Sequence, residues 1–84
     1  MAKDLRAFGA YMRRLRKQKG ISRSSLVLAL QGRVGLRTID RWENGTHEPY
    51  ISELAPVIEY LGGDVSEAVA LVVSETRETL QEAA

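Results

Sequence analysis

Apolar side chains recur along this chain every three to four residues, and glycine interrupts the pattern at Gly20, Gly32, Gly35, Gly45 and Gly62-Gly63. That period is helical, and no segment sustains the two-residue alternation of a half-buried strand. The expected fold class is therefore all-α. The spacing predicts five helices: Lys3–Gln18, Arg23–Leu30, Leu36–Asn44, Ser52–Leu61, and a fifth running to about Leu80. Ser22 is suited to cap the second helix, and Asp64, with Glu67 three residues on, the fifth. Gly45 is placed to end the third in the left-handed region, and Gly32 and Gly35 are both available for backbone angles that other residues resist. Pro56 is tolerated only in or beside a first turn, so the fourth helix is expected to start no earlier than Ser52.

With 84 residues the chain is expected to form a single domain, 1–84, with one core over about residues 5–73. Residues 74–84 then form either a helical extension or a frayed tail. The absence of cysteine excludes disulfides and thiolate metal sites. The longest apolar stretches, Leu26–Leu30 and Ala68–Val73, fall far short of the roughly 20 residues of a membrane span. The charged start, Met1-Ala2-Lys3-Asp4, does not read as a secretory signal, so a cytoplasmic protein is expected.

The near-neutral total charge conceals a division along the chain. Residues 1–41 carry eleven lysines and arginines against Asp4 and Asp40, a net +9; residues 42–84 carry Arg77 against nine carboxylates, a net −8. The basic half could be drawn to phosphates while the acidic half is turned away. Two solvated faces of opposite sign that keep the protein soluble would give the same count.

At 100° per residue the predicted third helix gathers Arg37, Arg41 and Asn44 on one face, flanked by Asp40, and turns Ile39 and Trp42 to the other. A helix lying in a DNA major groove needs this division, with one side packed on the domain and the other offering donors to base edges. Arginine's planar fork can donate two parallel bonds to guanine O6 and N7. Ordinary solvated arginines on an amphipathic helix would show the same wheel. Glu43 falls on the interior side beside Trp42, and a buried carboxylate needs a partner. Arg16 borders the apolar stripe of the first helix, so an Arg16–Glu43 ion pair is expected.

Leu15-Arg16, Gly20, Thr38-Ile39-Asp40-Arg41-Trp42-Glu43-Asn44-Gly45 and Pro49, followed by Leu54, Val57, Leu61 and Gly62, resemble the lambda-repressor-like (XRE-type) helix-turn-helix family over about residues 5–70. The resemblance implies a compact five-helix domain that binds double-stranded DNA as a small transcriptional regulator, more often a repressor, without a cofactor. It implies that Arg37 and Arg41 reach base edges, with Leu36 against a thymine methyl. Arg23 and Asn44 would meet phosphates, and Arg33 and Thr38 join them as candidates. Between Leu26 and Ile39 the chain is two residues longer than the family pattern, which leaves the register of Arg33 to Leu36 open.

Family members often pair through the C-terminal helix, which implies a homodimer on a palindromic operator. Val72, Thr76 and Leu80, together with the outward-pointing Leu28, are the candidates for that interface. Alternatively Val69, Val72 and Val73 close the monomer's own core. A second reading gives the same fold to an antitoxin or interaction module whose acidic C-terminal half binds a protein partner. An enzyme is not expected: His47 is the sole histidine, and neither a glycine-rich phosphate loop nor a metal-spaced cluster is present.

Overall fold

The computed structural model describes residues 4–83, with backbone only for Thr79 and residues 81–83. It contains five helices: α1 Arg6–Lys19, α2 Arg23–Ala29, α3 Leu36–Glu43, α4 Ile51–Tyr60 and α5 Val65–Ala83. None of the described residues is in a strand. The helices enclose one core in which Leu5, Phe8, Met12, Leu26, Ile39, Trp42, Leu54, Val57 and Ile58 are fully buried or nearly so. Each such side chain contributes roughly 1.5–3 kcal/mol when removed from water. Phe8 and Trp42 meet edge to face, their ring centroids 6.5 Å apart, which locks α1 against α3.

The helix ends follow local chemistry. Ser22 Oγ accepts from the Ser25 N–H at 3.0 Å, and Asp64 Oδ1 accepts from the N–H groups of Ser66 and Glu67 at 2.8 and 3.3 Å. After α3, Gly45 takes φ 72°, donating its N–H to Trp42 O while Thr46 donates to Arg41 O, which satisfies carbonyls of the last turn. Gly45 also lies against the chain entering α1. A Cβ there would stand 2.7 Å from the Leu5 carbonyl carbon.

Several boundaries depart from the sequence expectations. The predicted α1 start, Lys3, lies outside the described residues; the helix begins at Arg6, since Leu5 has non-helical angles (φ −112°, ψ 44°) and donates its N–H to Gly45 O at 2.9 Å. Gly35 is not left-handed: it is the extended N-cap of α3 at φ −80°. Gly32 does take a positive φ, 74°, and so does the non-glycine Gln31 before it, at 55°; the N–H of Gln31 bonds Leu28 O and that of Gly32 bonds Val27 O. Val34, in the same turn, is buried. The turn between α2 and α3 therefore wraps around an apolar plug.

Pro56 lies deeper in α4 than allowed for, since that helix starts at Ile51. The carbonyl deprived of its partner is that of Ser52, an exposed residue in the first turn, where water can replace the missing bond.

Val72 is corrected as a dimer contact. It is 8% exposed and belongs to the monomer's core, along with Ala68, because α5 packs on both α1 and α4. Val73 is half-exposed and Leu80 is 67% exposed. Thr76 donates to Glu48 at 3.2 Å. Burial continues past Val73 to Glu75, whose Oε1 accepts from the Ala7 N–H at the start of α1.

Candidate nucleic-acid interface

The third helix is short, and its two sides differ completely. Ile39, Trp42 and Glu43 are buried, with Trp42 at 2% exposure, whereas Leu36, Arg37, Arg41 and Asn44 are exposed. Thr38 and Asp40 lie at the margin. Gly35 caps the helix without a side chain, so its first turn is free of an overlying residue from its own cap. Arg33, on the loop before it, is exposed as well.

Glu43 organises the underside. Its carboxylate is fully buried and takes a two-point bond from Arg16, with Nε to Oε2 at 2.7 Å and Nη2 to Oε1 at 3.0 Å. Arg16 Nη1 also donates to Ile21 O at 3.0 Å, at the α1–α2 joint. Arg23, the first residue of α2, donates Nε to Oε1 at 3.2 Å, and Arg13 approaches the same oxygen at 3.5 Å. Burial alone would push the Glu43 carboxyl up. The Arg16 bonds and charge, followed by those of Arg23, outweigh it and hold the group below the usual carboxylate range. Glu43 raises Arg16 in turn, against the opposing effect of burial.

The arginines thus divide by task. Arg13, Arg16 and Arg23 are bound to a buried acid, and Arg23 also meets Asp40, Nη1 to Oδ1 at 3.0 Å. Arg33, Arg37 and Arg41 make no ion pair among the described residues, which leaves their guanidiniums available to an outside acceptor. Arg16 and Glu43 are the expected pair that the fold brings together. Arg23, expected to face phosphates, is largely engaged inward, with part of its guanidinium still open to solvent.

The close seating of α3 on α1 has a backbone cause that the sequence expectations missed. A Cβ at Gly9 would run into the Glu43 carbonyl and lie 2.9 Å from Trp42 O. Only a residue without a side chain lets the two helices approach so closely. A glycine inside a strongly helical stretch, where alanine would be favoured by about 1 kcal/mol, was the signal available for it.

The Helix-turn-helix family model matches residues 12–68, which spans all of α2, the turn, α3 and α4. This chain belongs to the lambda-repressor-like helix-turn-helix family. In that family's terms α2 and α3 are the helix-turn-helix pair, and α3 is the second, exposed member. Among solved structures the chain is similar to the crystal structure of the DNA-binding domain of BldD, at 25% identity and a TM-score of 0.68, over 81% of this chain and 96% of that one. No curated protein matches the chain with significance. Among the described residues no group of three or more histidine, cysteine, aspartate or glutamate side chains could hold a metal ion, and no helix is long and apolar enough to cross a membrane.

Proposed function

We propose that this protein binds double-stranded DNA sequence-specifically as a small transcriptional regulator, laying α3 in the major groove. One observation carries this reading. The tryptophan side of α3 is held by the domain, while the unpaired guanidiniums of Arg37 and Arg41 stand together on its outer side. The similar BldD domain, whose title calls it DNA-binding, supports it by analogy. Arg37 and Arg41 donate to base edges, and Leu36, half-exposed at the start of α3, meets a thymine methyl. Asn44, Arg33, Thr38 and the open edge of Arg23 meet phosphates. Repression follows most simply, because occupancy of an operator excludes other proteins without any further surface.

A homodimer on a palindromic operator completes the reading, with its two α3 helices about 34 Å apart or a multiple of that. The surface suited to it runs along α5 and the entry to α4. Tyr50, Ile51, Val73 and Leu80 are exposed there, beside a groove of about 400 Å³ lined by Pro49, Leu54 and Val69 among others. Leu28, 79% exposed on α2, lies on the helix-turn-helix unit itself, apart from these residues in sequence. The same groove sits in the acidic half of the chain and is the observation favouring a protein partner there. Light scattering across a concentration series separates the two, since a dimer forms without any second protein.

The functional test is a mobility-shift titration at several salt concentrations. Arg37→Ala and Arg41→Ala are expected to abolish preference for one sequence while leaving weak general binding, and Arg33→Ala to weaken all DNA about equally and flatten the salt dependence. Unchanged sequence preference in both α3 variants would refute base reading by this helix.

A further inference from the structure

Asp40 is out of place on a surface meant for DNA. It flanks Arg37 and Arg41 at the margin of the outward side of α3, and its side chain is 47% exposed. A free carboxylate there would be repelled by the phosphates flanking the groove. It is not free. Arg23 reaches across from α2, with Nη1 on Asp40 Oδ1 at 3.0 Å and Nε on the buried Glu43 at 3.2 Å. Arg23 therefore links the two acids, hydrogen-bonded to Glu43 in the core and ion-paired with Asp40 at the margin of the groove surface, where its charge offsets that of Asp40.

Resting on the reading of α3 as the groove helix, we propose that Asp40 is a specificity-determining residue, selecting cytosine at one position of each half-site, and that Arg23 is its positioning residue. With Oδ1 held by Arg23, the second carboxylate oxygen remains to accept a bond. In the major groove guanine offers only the acceptors O6 and N7, and thymine the acceptor O4 with a methyl group. All of these repel a carboxylate. Adenine offers its N6 amine with its own N7 acceptor beside it; cytosine offers its N4 amine and carries no acceptor of its own on the major-groove edge. A fixed acceptor on this surface thus favours cytosine, and it lies next to guanidiniums suited to guanine. Arg23 accordingly serves recognition through Asp40 more than through phosphate.

Selection from a random duplex pool with the full chain, followed by affinities on single-base variants of the chosen site, tests this. The wild type is expected to select a motif with one invariant cytosine per half-site and to lose roughly 5- to 150-fold in affinity when that cytosine becomes thymine. Asp40→Ala should accept all four bases at that position, with less than about twofold discrimination, and keep the positions governed by Arg37 and Arg41. Asp40→Asn, nearly identical in shape, should lose the cytosine preference too, because its amide can donate to acceptor bases. Arg23→Gln should lower affinity for every sequence and blunt the cytosine preference. If both Asp40 variants select the wild-type motif with discrimination unchanged, while Arg37→Ala and Arg41→Ala alter it, Asp40 is only a partner for Arg23 and this inference alone falls. If the wild type selects no motif, or no α3 variant alters it, the groove-helix reading falls with it.

Discussion

Glu43 and Glu75 are both carboxylates buried where helices meet, and they are held in opposite ways. Glu43 joins α3 to α1 and α2 through guanidiniums, which hold its carboxyl below the usual range despite burial. Glu75 joins α5 to the start of α1 through main-chain N–H groups of Ala7 and Phe8, capping a helix whose own N-cap, Leu5, has no side-chain bond to offer. Burial is the largest influence on Glu75 and raises it; the two N–H bonds lower it less, and Asp4 and Glu78 add repulsion. The difference teaches where the molecule invests in fixed geometry. The seat of α3, on which any base reading depends, is held by directional ion pairs, whereas the α5 junction is a carboxylate set on the N–H groups of a helix start.

The first way to break the contrast is to remove the acid beneath α3. Glu43→Ala leaves Arg16 with only 12% of its side chain exposed and without its counter-ion, and is expected to cost about 3–5 kcal/mol. In a cycle of Glu43→Gln and Arg16→Met, urea midpoints should show a coupling of roughly 1–3 kcal/mol, and strictly additive losses would mean that the two side chains act independently. Next in size is Gly9→Ala, which forces α1 off the end of α3 and should cost about 1–3 kcal/mol by overpacking, with DNA affinity falling alongside stability.

The opposite shifts predict opposite responses to pH. Glu43 has a depressed folded value, so its contribution is present above the ordinary carboxylate value near 4.3 and is lost as pH falls through the folded one. Glu75 has a raised folded value, so its protonated form favours the fold below that ordinary value, and the advantage is lost as pH rises through the folded one. Denaturant titrations between about pH 3 and 8 should show Glu43→Gln flattening the loss of stability on acidification. Glu75→Gln should flatten the decline on the way to neutrality. Equal slopes for the two variants would erase the distinction.

A change outside both junctions sets the scale of a purely local effect. Gln31 occupies the left-handed position after α2 that Gly20, Gly45 and Gly62 occupy after α1, α3 and α4. Gln31→Gly is expected to stabilise the protein by about 0.5–1 kcal/mol, read as a rise in thermal midpoint, without altering DNA sequence preference.

Much of this was legible in the sequence because helical spacing alone decides which side chains share a face. The wheel separated Trp42 from Arg37 and Arg41, put Glu43 inward and drew Arg16 toward it. The caps at Ser22 and Asp64 needed only local chemistry. What was not legible depends on how helices cross. Arg13 and Arg23 join Glu43 because α1 and α2 both lean over the end of α3, an angle that no wheel contains. Glu75 reads as one more solvated acid on a polar helix until α1 is laid against it. Val72 read as a partner contact, or alternatively as part of the monomer's core, until α5 was placed on α1 and α4, and of the two glycines available in the turn only Gly32 takes a positive φ, beside Gln31.

The reading of bases by α3 is tested most directly by replacing each guanine of the selected site with 7-deazaguanine, which removes the N7 acceptor and little else, and measuring affinity for the wild type, Arg37→Ala and Arg41→Ala. The wild type should lose roughly 5- to 150-fold at the guanines it reads, and each variant should lose nothing further at the one guanine served by its missing arginine. Equal losses in the wild type and both variants at every guanine would place base recognition elsewhere in the molecule.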